Sequence, residues 1–188
     1  MEMQRGVVGD LSPLAPLVQA AEDIGLIDHL ALLMSHARQA GVQVVYGNAK
    51  HRADRKGSAA NCPMLVRSPR ANGMVESTPD VDIVQPLAAR SDDIVIDRYH
   101  SLSPFTGTAL DVTLGNLGIR TIVATGVSLN VAIIAMCAEA VGLGHNVVVP
   151  SDCVVGVPRT YGDDVLRYTL PVLATVLPSA SLSALWAR

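Results

Sequence analysis

Charged side chains are scarce in this chain, cysteines are few and far apart, and no apolar run is long enough to span a bilayer. Each scarcity excludes something. Charged residues make up 16% of the 188 and the net charge is −3, so no basic surplus exists to attract nucleic acid. Asn, Glu, Gly and His interrupt every apolar stretch, which leaves no candidate membrane span. Met1-Glu2-Met3-Gln4-Arg5 leads into Gly and Asp rather than an apolar segment, so no secretory signal is expected. Cys62, Cys137 and Cys153 form neither a C-x-x-C motif nor a His/Cys spacing suited to zinc. No metal and no cofactor is expected, and unpaired thiols of this kind suit a reducing, cytoplasmic setting.

What is abundant is apolar. Hydrophobic residues reach 49%, enough for well-buried strands and a sizeable core within one domain. The same richness implies subunit contact, so a homodimer or higher homo-oligomer is expected. Residues 27–39 place Ile27, Leu30, Leu33 or Met34 and Ala37 on one helical stripe, stopped at Gly41. Residues 42–46 and 94–97 read as short strands, and residues 108–117 as a helix ended at Gly118. Residues 163–175 are expected to form the last long helix, with a terminal segment through Trp186. Between these lies a long irregular stretch, 47–80, rich in Gly, Pro, Ser and charge. Loops of that length commonly act as lids, binding segments or oligomer arms. Its cluster Lys50, His51, Arg52, Arg55 and Lys56 reads either as a solvated face or as a cover for an anionic substrate.

Residues 118–156 carry the strongest signal. Thr121 to Thr125 reads as a buried strand, Gly126 to Asn130 as a tight turn, and Val131 to Leu143 as a helix apolar nearly all round. Val147 to Val149 follows as the next strand, closing at Pro150-Ser151-Asp152. Such a module aims the first helical N–H groups into a crevice at the carboxyl ends of parallel strands. Asn130 is placed to cap the helix. Alternating helices and buried strands predict an α/β fold, a three-layer, Rossmann-like, mostly parallel sheet flanked by helices.

In this stretch Gly126-Val127 is followed by three residues and then Val131-Ala132. It resembles the isochorismatase-like hydrolases, the cysteine hydrolase family, in which a Cys follows that Val. Three further segments extend the resemblance over nearly the whole chain, residues 1–188. They are Glu2-Met3-Gln4, Asp97-Arg98 ahead of Phe105-x-x-Thr108-x-Leu110, and Val147 to Asp152. In the family's amidases an Asp is the general base, a Lys stabilises charge, and the Cys attacks the carbonyl. The resemblance puts Glu2, Arg98 and Ala132 at those positions. An alanine methyl has no lone pair, so Ala132 cannot form an acyl-enzyme. The resemblance also implies an oxyanion-stabilising N–H at Ser128, often after a non-proline cis peptide, and substrate-binding roles for Phe105, Asn130 and Gln4. The family's metal-binding amidases use Asp-x-His after the second strand. Here the stretch is Asn48-Ala49-Lys50-His51, without the Asp.

Three activities follow from that resemblance. One is hydrolysis of a small, carboxylated substrate by acid-assisted water attack, as true isochorismatases act on a vinyl ether with a small residue in place of the Cys. Glu2 would supply the proton, Arg98 would hold the substrate carboxylate, and the Ser128 and Ala132 N–H groups would polarise an oxygen. Burial would raise the Glu2 pKa and a neighbouring Arg98 would lower it. The second is an inactive homologue acting as a binding or scaffold protein. The third is an amidase with a relocated nucleophile. For that role Cys137 lies about 140° around the helix from Ala132 at roughly 100° per residue, which points it into packing. Only Met1 precedes Glu2, where the family has a central strand. A first strand truncated at the amino terminus is therefore expected, with Glu2 poorly held at a frayed end.

Overall fold

The computed structural model describes residues 1–67 and 73–187. Sequence-predicted loop residues 68–72 lie outside that description. Among the described residues the strands pair in parallel, in two ladders. Strands β1 (Val45–Ala49) and β2 (Ile94–Arg98) pair from Val45 with Ile94 to Ala49 with Arg98. Strands β3 (Thr121–Val123), β4 (Asn146–Pro150) and β5 (Thr175–Leu177) form a second ladder in that order. Helices α1 (Arg5–Val8) to α8 (Ser179–Trp186) flank these ladders in the arrangement expected of a parallel α/β layer fold. No helix among the described residues is long and apolar enough to cross a membrane.

Two apolar cores result, one for each face. Helix α3 (Leu26–Gln39) buries Leu26, Leu30, Leu33 and Ala37, the stripe its 3.6-residue period dictates, with α8 packed beside it. On the other core, α5 (Leu110–Asn116) and α6 (Ile134–Gly142) cover β3 and β4 with Leu110, Leu114, Met136, Cys137 and Ala140.

Strands β1 and β3 are not paired with each other. Between their carboxyl ends runs Met1 to Gln4, held rather than frayed. The Met1 amino nitrogen donates to Thr125 O at 3.0 Å, and Val127 N donates to Met1 O at 3.2 Å. On the other side Glu2 N donates to Gly47 O at 2.9 Å. The expectation of a loosely held Glu2 is thereby corrected, because both neighbouring chains hydrogen-bond this segment and Glu2 is only 3% exposed. Gly126 permits the approach. Its φ is +100°, and a Cβ there would lie 2.2 Å from Met1 O. Towards the amino ends of β1 and β3 the gap between them is lined by apolar side chains, with cavities of about 550 Å³ and 110 Å³ on its two sides.

Several sequence-predicted boundaries moved. The strand expected at 42–46 lies at Val45–Ala49. The helix expected over 163–175 is a short α7 (Arg159–Asp164), a wider turn through Thr169, a tight turn Leu170–Val172, and then β5. Helix α2 (Ala15–Asp23) was not anticipated.

Gln4 is fully buried and acts as a clamp. Its Nε2 donates to Ala49 O and Val81 O, both at 2.9 Å, and its Oε1 accepts from Ala49 N at 2.8 Å. Gln4→Ala strands those backbone groups without partners, so we expect stability to fall by about 2–4 kcal/mol. Urea unfolding of the two proteins measures this, and an unchanged midpoint would show that the clamp is dispensable.

Candidate active site

A cavity of about 390 Å³ opens at the carboxyl ends of β1 and β2, against the loop that follows β3. Glu2, Arg98, Ser128 and Ala132 all line it, together with Lys50, His51 and Arg55. Residues that are 130 positions apart in the chain meet here because parallel strands deliver their carboxyl ends to one edge.

Glu2 and Arg98 form the centre. Arg98 ends β2, is 6% exposed, and its Nη2 donates to Glu2 Oε1 in a direct ion pair. Its Nη1 donates to Ser101 O at 3.1 Å, and its Nε has no hydrogen-bond partner. Burial pulls the guanidinium pKa down to about 10, which leaves it charged at neutral pH. A buried carboxylate without a cation costs several kcal/mol, so the pair is what allows Glu2 to be buried at all. Two of the three guanidinium nitrogens of Arg98 are thus engaged within the protein, one of them by Glu2.

Ser128 and Ala132 form the facing wall. The Val127–Ser128 peptide is cis. The helical run begins earlier than expected, at Leu129, with one wide π-type turn over Leu129–Ile133 before α6. That turn presents the Ala132 methyl to the cavity while Leu129 and Ile133 point into the core.

Three expected contributors lie elsewhere. Phe105 is buried in the core beneath α5 and lines the gap between β1 and β3. Asn130 turns away from the cavity, accepting from Ser128 Oγ at 2.6 Å and donating to Val157 O at 2.9 Å. It does not cap the helix with its side chain; Ser128 occupies that position. Gln4 serves as the clamp described above. Asn130 and Gln4 thus spend their polar atoms on internal hydrogen bonds, and Phe105 packs in the core.

The basic cluster divides. Lys50 and His51 reach the cavity from the end of β1, and Arg55 from the loop beyond. Lys50 Nζ is paired with Asp97 Oδ2 at 2.7 Å, and His51 Nδ1 lies 3.1 Å from Ser58 Oγ. Arg52 instead pairs with Asp54 at the surface. Tyr99, His100, Ser101 and Met74 also line the cavity. Sequence reasoning missed them, because loop residues without a periodic pattern carry no signal of what they face. Backbone conformation marks the same place. Five described non-glycine residues have positive φ; Glu2, Arg55, Met74 and Ser101 are at this cavity and Ser77 is not. Such conformations cost free energy and concentrate at binding and catalytic sites.

No group of three His, Cys, Asp or Glu residues among those described is arranged to hold a metal ion. No thiol lines the cavity either. Cys137 and Cys153 are fully buried, and burial pushes both thiols up to about 12. Cys62 is half-buried.

The fold and the crevice define a parallel α/β protein with a buried acid–cation pair opposite a helix start. Comparison with known proteins makes the class specific. The isochorismatase domain matches residues 1–181, and the chain belongs to the isochorismatase family of hydrolases. It is 27% identical to maleamate amidohydrolase of Pseudomonas putida over 146 residues, 78% of this chain and 67% of that protein. An isochorismatase family protein of Desulfovibrio vulgaris superposes with a TM-score of 0.82 at 26% identity, covering 100% of this chain and 95% of its own. The pyrazinamidase/nicotinamidase of Streptococcus mutans shares the fold, with a TM-score of 0.78 at 22% identity over 94% of this chain and 96% of its own.

The thiols allow a direct check. In native protein a thiol-specific chromophore should modify Cys62 alone, with Cys137 and Cys153 reacting only after unfolding. Rapid native modification of more than one thiol would mean that a second cysteine is accessible.

Proposed function

We propose that this isochorismatase-family hydrolase cleaves a small, carboxylated substrate by direct attack of water, without a cysteine nucleophile or covalent intermediate. One observation carries the reading: the Glu2–Arg98 ion pair and the Ala132 methyl face each other across one cavity. Where the family's amidases place a thiol, this helix turn offers only a methyl, so the nucleophile comes from solvent.

The ion pair with Arg98 engages Glu2 as a carboxylate. Glu2 therefore takes a proton from the attacking water and returns it to the leaving group, which is where acid assistance enters. The water oxygen bonds to the carbonyl carbon, and the bond from that carbon to the leaving nitrogen or oxygen breaks. N–H groups of the turn at Ser128 and Ala132 stabilise the oxyanion. This order suits a carbonyl substrate better than a vinyl ether, whose cleavage begins with protonation by an acid. Similarity to a maleamate amidohydrolase points the same way, towards an amide carrying a carboxylate.

A second reading, a ligand-binding homologue without turnover, is favoured by the same contact, since a carboxylate held directly against Arg98 is a weakened base. Relocation of the nucleophile to a cysteine finds no support in the burial of Cys137 and Cys153.

Assay of the purified protein against small carboxylated amides, maleamate included, separates these. Turnover should persist after alkylation of accessible thiols. Glu2→Gln, which keeps the shape and removes the base, should lower kcat by about 10²–10⁴-fold. Ala132→Cys should create a component of activity that iodoacetamide abolishes. Binding of these compounds without turnover by the natural protein would leave the second reading standing.

A further inference from the structure

Cations outnumber available anions in the cavity. Glu2 and Arg98 neutralise each other, and Lys50 is answered by Asp97 on the adjoining strand. Arg55 has no such partner: among the described residues no carboxylate pairs with it. Among the described residues its guanidinium makes one hydrogen bond, from Nη2 to Gly73 O at 2.9 Å. That bond steadies one end of the guanidinium, and among the described residues its other nitrogens have no hydrogen-bond acceptor. The residue is half-buried, lines the cavity, and holds a left-handed backbone with φ +57°. A non-glycine residue in that conformation costs free energy that solvent exposure alone would not require.

We infer that Arg55 is the anion receptor of this site, binding the substrate's carboxylate while Arg98 holds Glu2. The inference rests on the reading of this cavity as the substrate site, and it names the element that selects the substrate. A planar guanidinium with free donors engages a carboxylate through two parallel hydrogen bonds, and low-dielectric walls strengthen the attraction. The division of labour follows from geometry. Arg98 is buried and already bonded on two nitrogens, whereas Arg55 reaches the cavity from a loop with its charge uncompensated. The substrate is accordingly bifunctional, with a carboxylate at the Arg55 end and the scissile carbonyl at the Glu2 and Ala132 end.

Calorimetric titration with succinate and with uncharged succinamide tests this without requiring turnover. Succinate should bind the natural protein, and Arg55→Gln should weaken it at least about tenfold. Arg55→Lys, which keeps the charge and loses the planar fork, should fall between. Succinamide affinity should be the same in all three. Equal succinate affinity in the natural protein and Arg55→Gln, or no succinate binding by the natural protein, would overturn the assignment. Ala132→Leu, which fills the cavity, separates the two levels. If it abolishes succinate binding while Arg55→Gln does not, the cavity is the site and Arg55 is not its receptor. If neither matters, the anion binds elsewhere and the cavity assignment fails too.

Discussion

The placement of one carboxylate, Glu2, governs the rest of this structure. It is almost entirely removed from water, and a charge in that position persists only with a cation in contact. Arg98 supplies the cation from the end of β2. The pair therefore ties the beginning of the chain to a strand that is not its immediate neighbour. Hydrogen bonds from Glu2 N to Gly47 O and from Val127 N to Met1 O secure the same few residues to both flanking chains. Gln4 completes the attachment by bonding the backbone of Ala49 and Val81. These four residues link the β1–β2 ladder to the loop that follows β3 at the carboxyl ends, which is where the cavity opens.

That attachment explains why the cavity has its particular chemistry. The carboxyl end of a parallel sheet is a natural crevice, but its walls are loops whose side chains are chosen individually. Here the walls combine a neutralised acid–cation pair, a methyl at the helix start, and an arginine without a counter-charge. Positive φ at Glu2, Arg55, Met74 and Ser101 shows that the backbone around the cavity departs from its preferred conformations. Strain gathered at one place, on four separate segments, marks where the fold has been shaped for something other than stability.

Much of the architecture was legible in residue pattern because burial imposes periodicity. The stripe at Leu30, Leu33 and Ala37 and the valine run of β4 could be read directly. Features set by partners rather than by period were not. Strand β1 lies three residues later than its apolar run, because pairing with Ile94–Arg98 draws Gly47, Asn48 and Ala49 into the ladder. Strand β5 is a three-residue segment that only its contact with β4 distinguishes from the turns before it. Phe105 and Asn130 matched a family pattern yet serve the core and a loop contact, since motif position says nothing about side-chain direction.

The sequence alone determined the alternation of helix and buried strand, the absence of a thiol at residue 132, and the presence of an acid at residue 2 and a cation at residue 98. These are local or compositional properties, and local chemistry suffices to state them. Tertiary structure decided that Glu2 is held rather than frayed, that Arg98 serves Glu2, and that Arg55 is left facing the cavity uncompensated. Those facts depend on which charges come within contact distance and which lose their water. Neither is a property of a residue by itself.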